Sequence, residues 1–137
     1  MRVDDTVETN IQPVNREYWQ GRGSNETVKI ADELLKILNE QSTVEQKLNY
    51  TKHYIGLTDG QRTSASIYFK PRKNYCHVTV RAAWTEEDLT SFEDVDLDVD
   101  THNGNMRIKL RKQDLKKHRE LITPLLHRIV HELGFGE

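Results

Sequence analysis

The spacing of apolar residues changes several times along the chain and predicts where helices and strands alternate. Between residues 26 and 39, apolar side chains recur every three or four positions, which predicts an amphipathic helix. They are Val28, Ala31, Leu34, Leu35 and Leu38. Ser24 or Asn25 can cap this helix by accepting a hydrogen bond from a free backbone N–H. Residues 1–14 are polar and show no period, so they are interpreted as a flexible lead-in or linker, and a short turn is expected at residues 15–19.

From residue 48 the period becomes two, which is typical of β-strands. A first strand is predicted over residues 48–57. The next two strands have apolar inner faces, formed by Ala65, Ile67 and Phe69 in the second and by Cys76, Val78, Val80 and Ala82 in the third. Pairing Lys70 with Tyr75 across the turn between them would place all these apolar side chains on one side of the sheet.

The second half of the chain predicts one short helix, a hairpin and a closing helical region. Thr85 and Asp88 have capping-box spacing, and the helix that follows would turn Trp84, Leu89 and Phe92 inward. Residues 93–100 alternate strictly, and Asn103-Gly104 predicts a two-residue hairpin turn before a fifth strand. Residues 113–133 are helical in pattern, with Pro124 expected to kink or split them.

These elements occur in the order α-β-β-β-α-β-β-α and predict an α+β fold. Strands joined by tight turns favour a five-stranded antiparallel meander, with the N- and C-terminal helices packed on one face. The length of 137 residues fits a single domain, expected to span residues 15–137.

Composition and charge narrow the classes of function. The chain carries 20 Lys+Arg and 22 Asp+Glu, a net charge of −2, which argues against a dedicated polyanion binder. No apolar run approaches the ~20 residues that span a bilayer, and the N-terminus has no signal-peptide pattern. The single cysteine, Cys76, excludes an internal disulfide and fits a reducing, cytosolic setting.

Two charged series flank the predicted hairpin turn. Aspartates alternate from Asp94 to Asp100, but a calcium loop counted from Asp94 would need Gly and Glu where the chain has Val99 and Asn105. A two-residue turn instead opposes the acidic and basic series. The predicted pairs are Asp100 with Arg107, Asp98 with Lys109 and Asp96 with Arg111, with Val99–Ile108 and Leu97–Leu110 on the other face. The charges therefore predict a cross-strand ladder on the solvent face.

Few residues have the spacing of a catalytic or metal site. His127 and His131 lie one helical turn apart and could hold Zn²⁺ or Ni²⁺, which leaves a metal-dependent hydrolase as an alternative function. Two ligands do not make a site, and there is no HExxH motif or cysteine pair, so exposed helical histidines are the simpler interpretation. Cys76 is expected in the core rather than as a reactive thiol. No catalytic residue, metal or cofactor is predicted.

The outer face of the first three strands is the best candidate for binding. Aromatic and cationic side chains would meet there, and such a face can stack bases and contact phosphates. Its expected members are Tyr50, Lys52, Tyr54, Tyr68, His77, Thr79 and Arg81, with Lys70, Arg72 and Lys73 at the rim. The alternative is that a helix, Trp19 or a partner protein covers these rings.

Several short stretches resemble a small bacterial domain of unknown function that follows nuclease-like or other regions in larger proteins. They are Arg16-Glu-Tyr-Trp, Ala31-Asp-Glu-Leu-Leu, Tyr54-Ile-Gly-Leu, Tyr68-Phe-Lys-Pro-Arg-Lys, Leu97-Asp-Val-Asp, Arg107-Ile-Lys-Leu and Lys117-His-Arg-Glu-Leu. Relatives of that domain carry the label "predicted transport protein", which nothing in this sequence supports. The resemblance implies a neighbouring domain and supplies no catalytic residues. Because the related domains occur beside nuclease-like regions, it favours nucleic acid as the binding partner by analogy.

The leading hypothesis from the sequence is therefore a non-catalytic accessory or interaction domain. Its partner would be nucleic acid, or a neighbouring domain or protein, and no membrane is expected. The metal-dependent hydrolase and a pure oligomerisation module remain as alternatives, and the sequence leaves the oligomeric state open.

Overall fold

The computed structural model describes residues 14–134, which form an α+β domain. The expected lead-in over residues 1–14 lies outside the described residues except for its last position. Helices are α1 (Arg16–Arg22), α2 (Asn25–Gln41), α3 (Glu86–Asp94), α4 (Lys112–Lys117) and α5 (Arg119–Glu132). Strands are β1 (Lys47–Tyr50), β2 (Ile55–Thr58), β3 (Thr63–Pro71), β4 (Cys76–Val80), β5 (Asp98–His102) and β6 (Asn105–Leu110).

The described strands form one antiparallel sheet of six strands, in the order β1-β2-β3-β4-β6-β5. The prediction of five strands is wrong because residues 48–57 form a hairpin. Both the backbone N–H and the hydroxyl of Thr51 donate to the Tyr54 carbonyl, at 2.9 and 2.8 Å, and reverse the chain. The meander is wrong as well, since α3 carries the chain to the far edge and β6, not β5, pairs with β4.

The hairpin of β3 and β4 keeps the predicted inner face but not the predicted register. Pro71 opposes Cys76 and Phe69 opposes Val78, two positions away from the pairing of Lys70 with Tyr75. A shift of two residues preserves the faces of both strands because side chains alternate with a period of two. By the same shift, Ile67 rather than Ala65 opposes Val80.

The last hairpin confirms the ladder next to its turn. Asp100 opposes Arg107, Val99 opposes Ile108 and Asp98 opposes Lys109. The predicted pairs Asp96–Arg111 and Leu97–Leu110 lie outside the ladder, because α3 continues to Asp94 and β5 begins only at Asp98. Asp96 has a φ of 63° in the turn between them.

Helices α2 and α5 cover one face of the sheet and enclose the core. The capping predictions are confirmed: Ser24 forms a capping box with Thr27, and Thr85 forms one with Asp88. The closing helix divides at His118, not at the predicted Pro124, which is exposed within α5. Water can there reach the carbonyl that the missing proline N–H leaves unpaired.

The opposite face of the sheet remains open to solvent along β3, β4 and β6. Alternate side chains of β3 and β6 are buried towards the helices, whereas those between them are half-buried. This open face holds most of the residues that the sequence indicates for binding.

Candidate nucleic-acid interface

Cross-strand pairing arranges the open face in two rows of side chains. Residues that oppose each other in the ladder share a face, so each row runs across β3, β4, β6 and β5. One row consists of Tyr68, Thr79, Arg107 and Asp100, and the other of Lys70, His77, Lys109 and Asp98. Each row begins with an aromatic or basic residue on β3 and ends with an aspartate on β5.

Tyr54 and Tyr68 form an aromatic pair on this face. Their ring centroids lie 4.9 Å apart with the planes tilted by 39°. Gly56 makes room for the pair, because a Cβ at that position would lie 3.2 Å from Cε1 of Tyr54 and 2.8 Å from the Ser64 carbonyl oxygen. The Tyr54 ring therefore lies close against the backbone of β2.

A second ring pair, Tyr75 with His77, lies beside β6. The two ring centroids are 5.0 Å apart, and Nζ of Lys109 lies 4.7 Å from the Tyr75 ring centroid. Nζ of Lys70 similarly lies 5.9 Å from the Tyr68 ring. Each pair thus has a cation over the face of one of its half-buried rings.

The pKa of His77 reports the electrostatic potential of this face. Partial burial lowers it first, and the positive charges of Arg72, Lys109, Arg107 and Lys70 lower it further. Four cations thus lie close enough to His77 to disfavour its protonated form, although the chain as a whole carries a net charge of −2.

The cations of the open face fall into two groups. Arg107 donates to both carboxylate oxygens of Asp100, at 3.0 and 2.9 Å, and Lys109 lies 3.6 Å from Asp98. The hydrogen bonds from Arg107 are the main reason why the pKa of Asp100 is lowered. Lys70, by contrast, has no carboxylate partner within residues 14–134.

At the end of β3, the open face meets a cleft of about 150 Å³. This basic cleft is lined by Trp19, Arg22, Lys52, His53, Lys70 and Arg72. Its described lining contains no carboxylate, and within residues 14–134 none of its four Arg and Lys side chains forms an ion pair with Asp or Glu. Among the described residues, the cleft is therefore a concentrated positive site without a neutralising carboxylate.

Helix α1 forms one wall of the basic cleft because two contacts fix its C-terminal end. The indole Nε1 of Trp19 donates to the Thr51 carbonyl at 2.9 Å. Gly23 approaches β3 so closely that a Cβ there would lie 2.9 Å from Cβ of Pro71. These contacts bring α1 against both the β1–β2 turn and the end of β3.

Arg22 is oriented within the basic cleft before any ligand binds. Its Nη1 donates to the Tyr18 hydroxyl at 2.7 Å and to the Lys52 carbonyl at 3.3 Å. Its guanidinium carbon lies 5.3 Å from the Trp19 ring centroid and 5.5 Å from that of Tyr18. Both hydrogen bonds use Nη1, so Nη2 and Nε have no hydrogen-bond partner in the described part of the chain.

The structure separates the predicted binding residues. Tyr54, Tyr68, Lys70 and His77 lie on the open face, and Thr79 is buried between its neighbours there. Lys52 and Arg72 line the basic cleft, and Lys73 beside it donates to the Gly21 carbonyl at 3.2 Å. Arg81 is exposed just beyond β4, where its N–H donates to the Ser66 carbonyl.

Tyr50 does not share a face with Tyr54, contrary to the prediction. It opposes buried Ile55 on the helix-covered side, and its hydroxyl accepts from Nη1 of Arg16 at 3.4 Å. The turn at residues 51–54 interrupts the alternation on which the prediction depended. Trp19, one of the covers considered from the sequence, is itself buried in the core.

Sequence reasoning missed several residues of this interface. Arg22 and His53 enter the basic cleft only once α1 docks on the turn of the first hairpin, and Tyr75, predicted to pair with Lys70, is not among the predicted binding residues. The one usable signal was the spacing of Trp19 and Arg22, three apart and so on the same side of a helix.

The histidine pair of α5 does not form a metal site with other residues described here. His127 Nε2 lies 3.4 Å from Oε1 of Glu40, whose other oxygen accepts from Arg119 at 3.0 Å, and His131 is exposed. Among residues 14–134, no three His, Cys, Asp or Glu side chains gather closely enough to hold an ion. Cys76 is fully buried, as expected, and burial raises the pKa of its thiol.

Comparisons with known proteins give no further indication of function. No protein-family model, curated protein or solved structure matches this chain. Between residues 14 and 134, no helix is long and apolar enough to cross a membrane. Function is therefore argued from the open face and the basic cleft themselves.

Proposed function

We propose that this domain is a non-catalytic binding module that holds single-stranded nucleic acid on its open sheet face. The observation that carries the proposal is the conjunction of two half-exposed ring pairs with Lys70 and the other cations of the basic cleft, which have no carboxylate partner within residues 14–134. Stacking on aromatic rings contributes about 1–3 kcal/mol per base, and cations beside the rings contact the phosphates.

A single strand suits this surface better than a duplex. Rings such as those of Tyr68 and His77 can stack only on bases that are unpaired and turned outward, whereas a duplex hides the faces of its bases. Sequence preference would be weak, because every base offers a flat face for stacking.

The net charge of −2 does not describe the β3 and β4 side of this face, because many acidic residues are concentrated towards the opposite edge of the sheet. Eight of the fifteen residues from 86 to 100 are Asp or Glu, and none is Lys or Arg. They belong to α3, the edge strand β5 and the turn between them, at the opposite side of the sheet from the basic cleft. Binding should therefore be local, modest in affinity and sensitive to salt.

The resemblance to a domain that follows nuclease-like regions agrees with an accessory role. A module that holds a strand would serve a neighbouring nuclease by keeping its substrate close. This part of the proposal rests on analogy.

The experiment is a fluorescence-anisotropy titration with a labelled single strand and with the matching duplex, at low and at moderate salt. We expect the single strand to bind more tightly and Tyr68→Ala to weaken it by about 1–3 kcal/mol. Tyr68→Phe, which keeps the ring, should retain most of the affinity. Lys36→Ala, an exposed change on α2, serves as the control. No salt-dependent binding, or equal loss in Tyr68→Ala and Lys36→Ala, would refute the proposal.

A further inference from the structure

The basic cleft has more positive charge than one internal phosphate of a strand requires. An internal phosphodiester carries one negative charge. A phosphate monoester carries about −1.5 to −2 near neutral pH and offers three strong acceptor oxygens. The cleft gathers four Arg and Lys side chains and an imidazole, without a carboxylate in its described lining.

The size of the basic cleft also fits a small anion. A volume of about 150 Å³ is several times the ~30 Å³ that one water molecule occupies in the liquid. It can therefore hold a single phosphate group.

The donors of the cleft are already oriented. Arg22 is held by the Tyr18 hydroxyl, the Lys52 carbonyl and the Trp19 ring, which leaves Nη2 and Nε for a ligand. Two such N–H groups match two oxygens of a phosphate, and a donor that is fixed in advance loses less entropy on binding.

We infer that the basic cleft is a binding site for a phosphate monoester dianion, held by Arg22, Arg72 and Lys70. The ligand would be the phosphorylated end of a nucleic-acid strand or a small phosphorylated molecule. The first source rests on the proposed function. Lys70 connects the two sites, because it lines the cleft while its Nζ lies 5.9 Å from the Tyr68 ring. A strand stacked on the open face can thus place its terminal phosphate in the cleft.

The first experiment uses methyl phosphate and dimethyl phosphate, which differ in charge and in the number of ester bonds. Each is titrated into the full chain at constant ionic strength, while NMR follows the Nε–H signals of Arg22 and Arg72. We expect methyl phosphate to bind about tenfold more tightly, as one extra charge-assisted hydrogen bond implies. Arg22→Gln and Arg72→Gln should abolish this difference, and the control Lys36→Gln should preserve it.

Equal binding of the two esters, no shift of either arginine signal, or a preference that survives both glutamine variants would overturn the inference. Arg22 and Arg72 are exposed, and the backbone N–H of Arg72 keeps its bond to the Tyr75 carbonyl in a glutamine variant, so both variants should fold. Two variants at different walls of the cleft guard against a local effect of either one.

The second experiment distinguishes the two sources of the phosphate. Single strands of one sequence are compared with a 5′-phosphate, a 3′-phosphate or neither. Tighter binding of one phosphorylated strand, lost in Arg22→Gln, identifies a strand end as the ligand. If methyl phosphate binds but no strand does, the proposed function fails and the cleft accepts a small phosphorylated molecule. If all strands bind equally and methyl phosphate does not, the cleft inference fails alone.

Discussion

The two ends of the open face contain the same kinds of residue but differ in how their charges are balanced. At the β5–β6 hairpin, Arg107 and Lys109 stand opposite Asp100 and Asp98. At the end of β3, Lys70 stands opposite His77, and no carboxylate from the described chain reaches it. The cross-strand neighbour of a cation therefore decides whether the cation forms an ion pair within the sheet or is available to a ligand.

The difference predicts that equal losses of positive charge will have unequal effects. Lys70→Gln with Arg72→Gln removes two cations that have no carboxylate partner within residues 14–134, and we expect single-strand affinity to fall roughly tenfold to a hundredfold at low salt. Lys29→Gln with Lys36→Gln lowers the net charge equally on α2 and should change affinity less than about twofold. Fluorescence anisotropy measures both. Equal losses would show that only total charge matters and would remove the distinction between the two ends.

The reverse change should make the acidic end resemble the basic one. Asp98→Asn with Asp100→Asn releases Lys109 and Arg107, so we expect single-strand affinity to rise about threefold and to depend more steeply on salt. Stability should fall only slightly, because exposed cross-strand pairs are screened by solvent and contribute little. Anisotropy and urea unfolding measure the two effects. Unchanged affinity would mean that a strand does not extend to β6.

The smallest expected effect concerns His77, whose pKa is lowered by burial and by nearby cations. Its folded pKa should lie below the ordinary value of 6.5 and rise towards it in Lys70→Gln with Arg72→Gln. The unfolded chain binds a proton at His77 more readily than the folded chain does. The contribution of His77 to the free energy of unfolding is therefore fully present above about pH 6.5 and is lost as the pH falls through the folded pKa. NMR titration of the imidazole measures the shift. An unshifted pKa in the native chain would contradict the positive potential inferred at this face.

The predictable parts of the fold were those fixed by local chemistry. Thr85 and Asp88 cap a helix through groups three residues apart, and Asn103-Gly104 sets the register of its hairpin directly. The break between β1 and β2 was missed because it depends on two hydrogen bonds from Thr51 to Tyr54 within a pattern that still alternates.

The topology and half of the candidate site could not be predicted from local sequence, because they depend on contacts between residues far apart in the chain. Nothing near α3 indicates that β5 goes to the edge and that β6 pairs with β4, since this pairing joins segments separated by a helix. Arg22 likewise enters the basic cleft only through the docking of Trp19 on the Thr51 carbonyl. The open-face residues of β3 and β4 could be predicted, because alternation within a strand assigns its two faces.

The central claim is that single-stranded nucleic acid binds to the open face and not to the helices. Its most direct test is NMR mapping of the chain with a short oligodeoxythymidylate. We predict that the perturbed signals belong to Tyr54, Tyr68, Lys70, Tyr75 and His77, while those of α2 and α5 remain unchanged. Perturbations confined to α2 and α5, or absent at saturating strand concentration, would contradict the account.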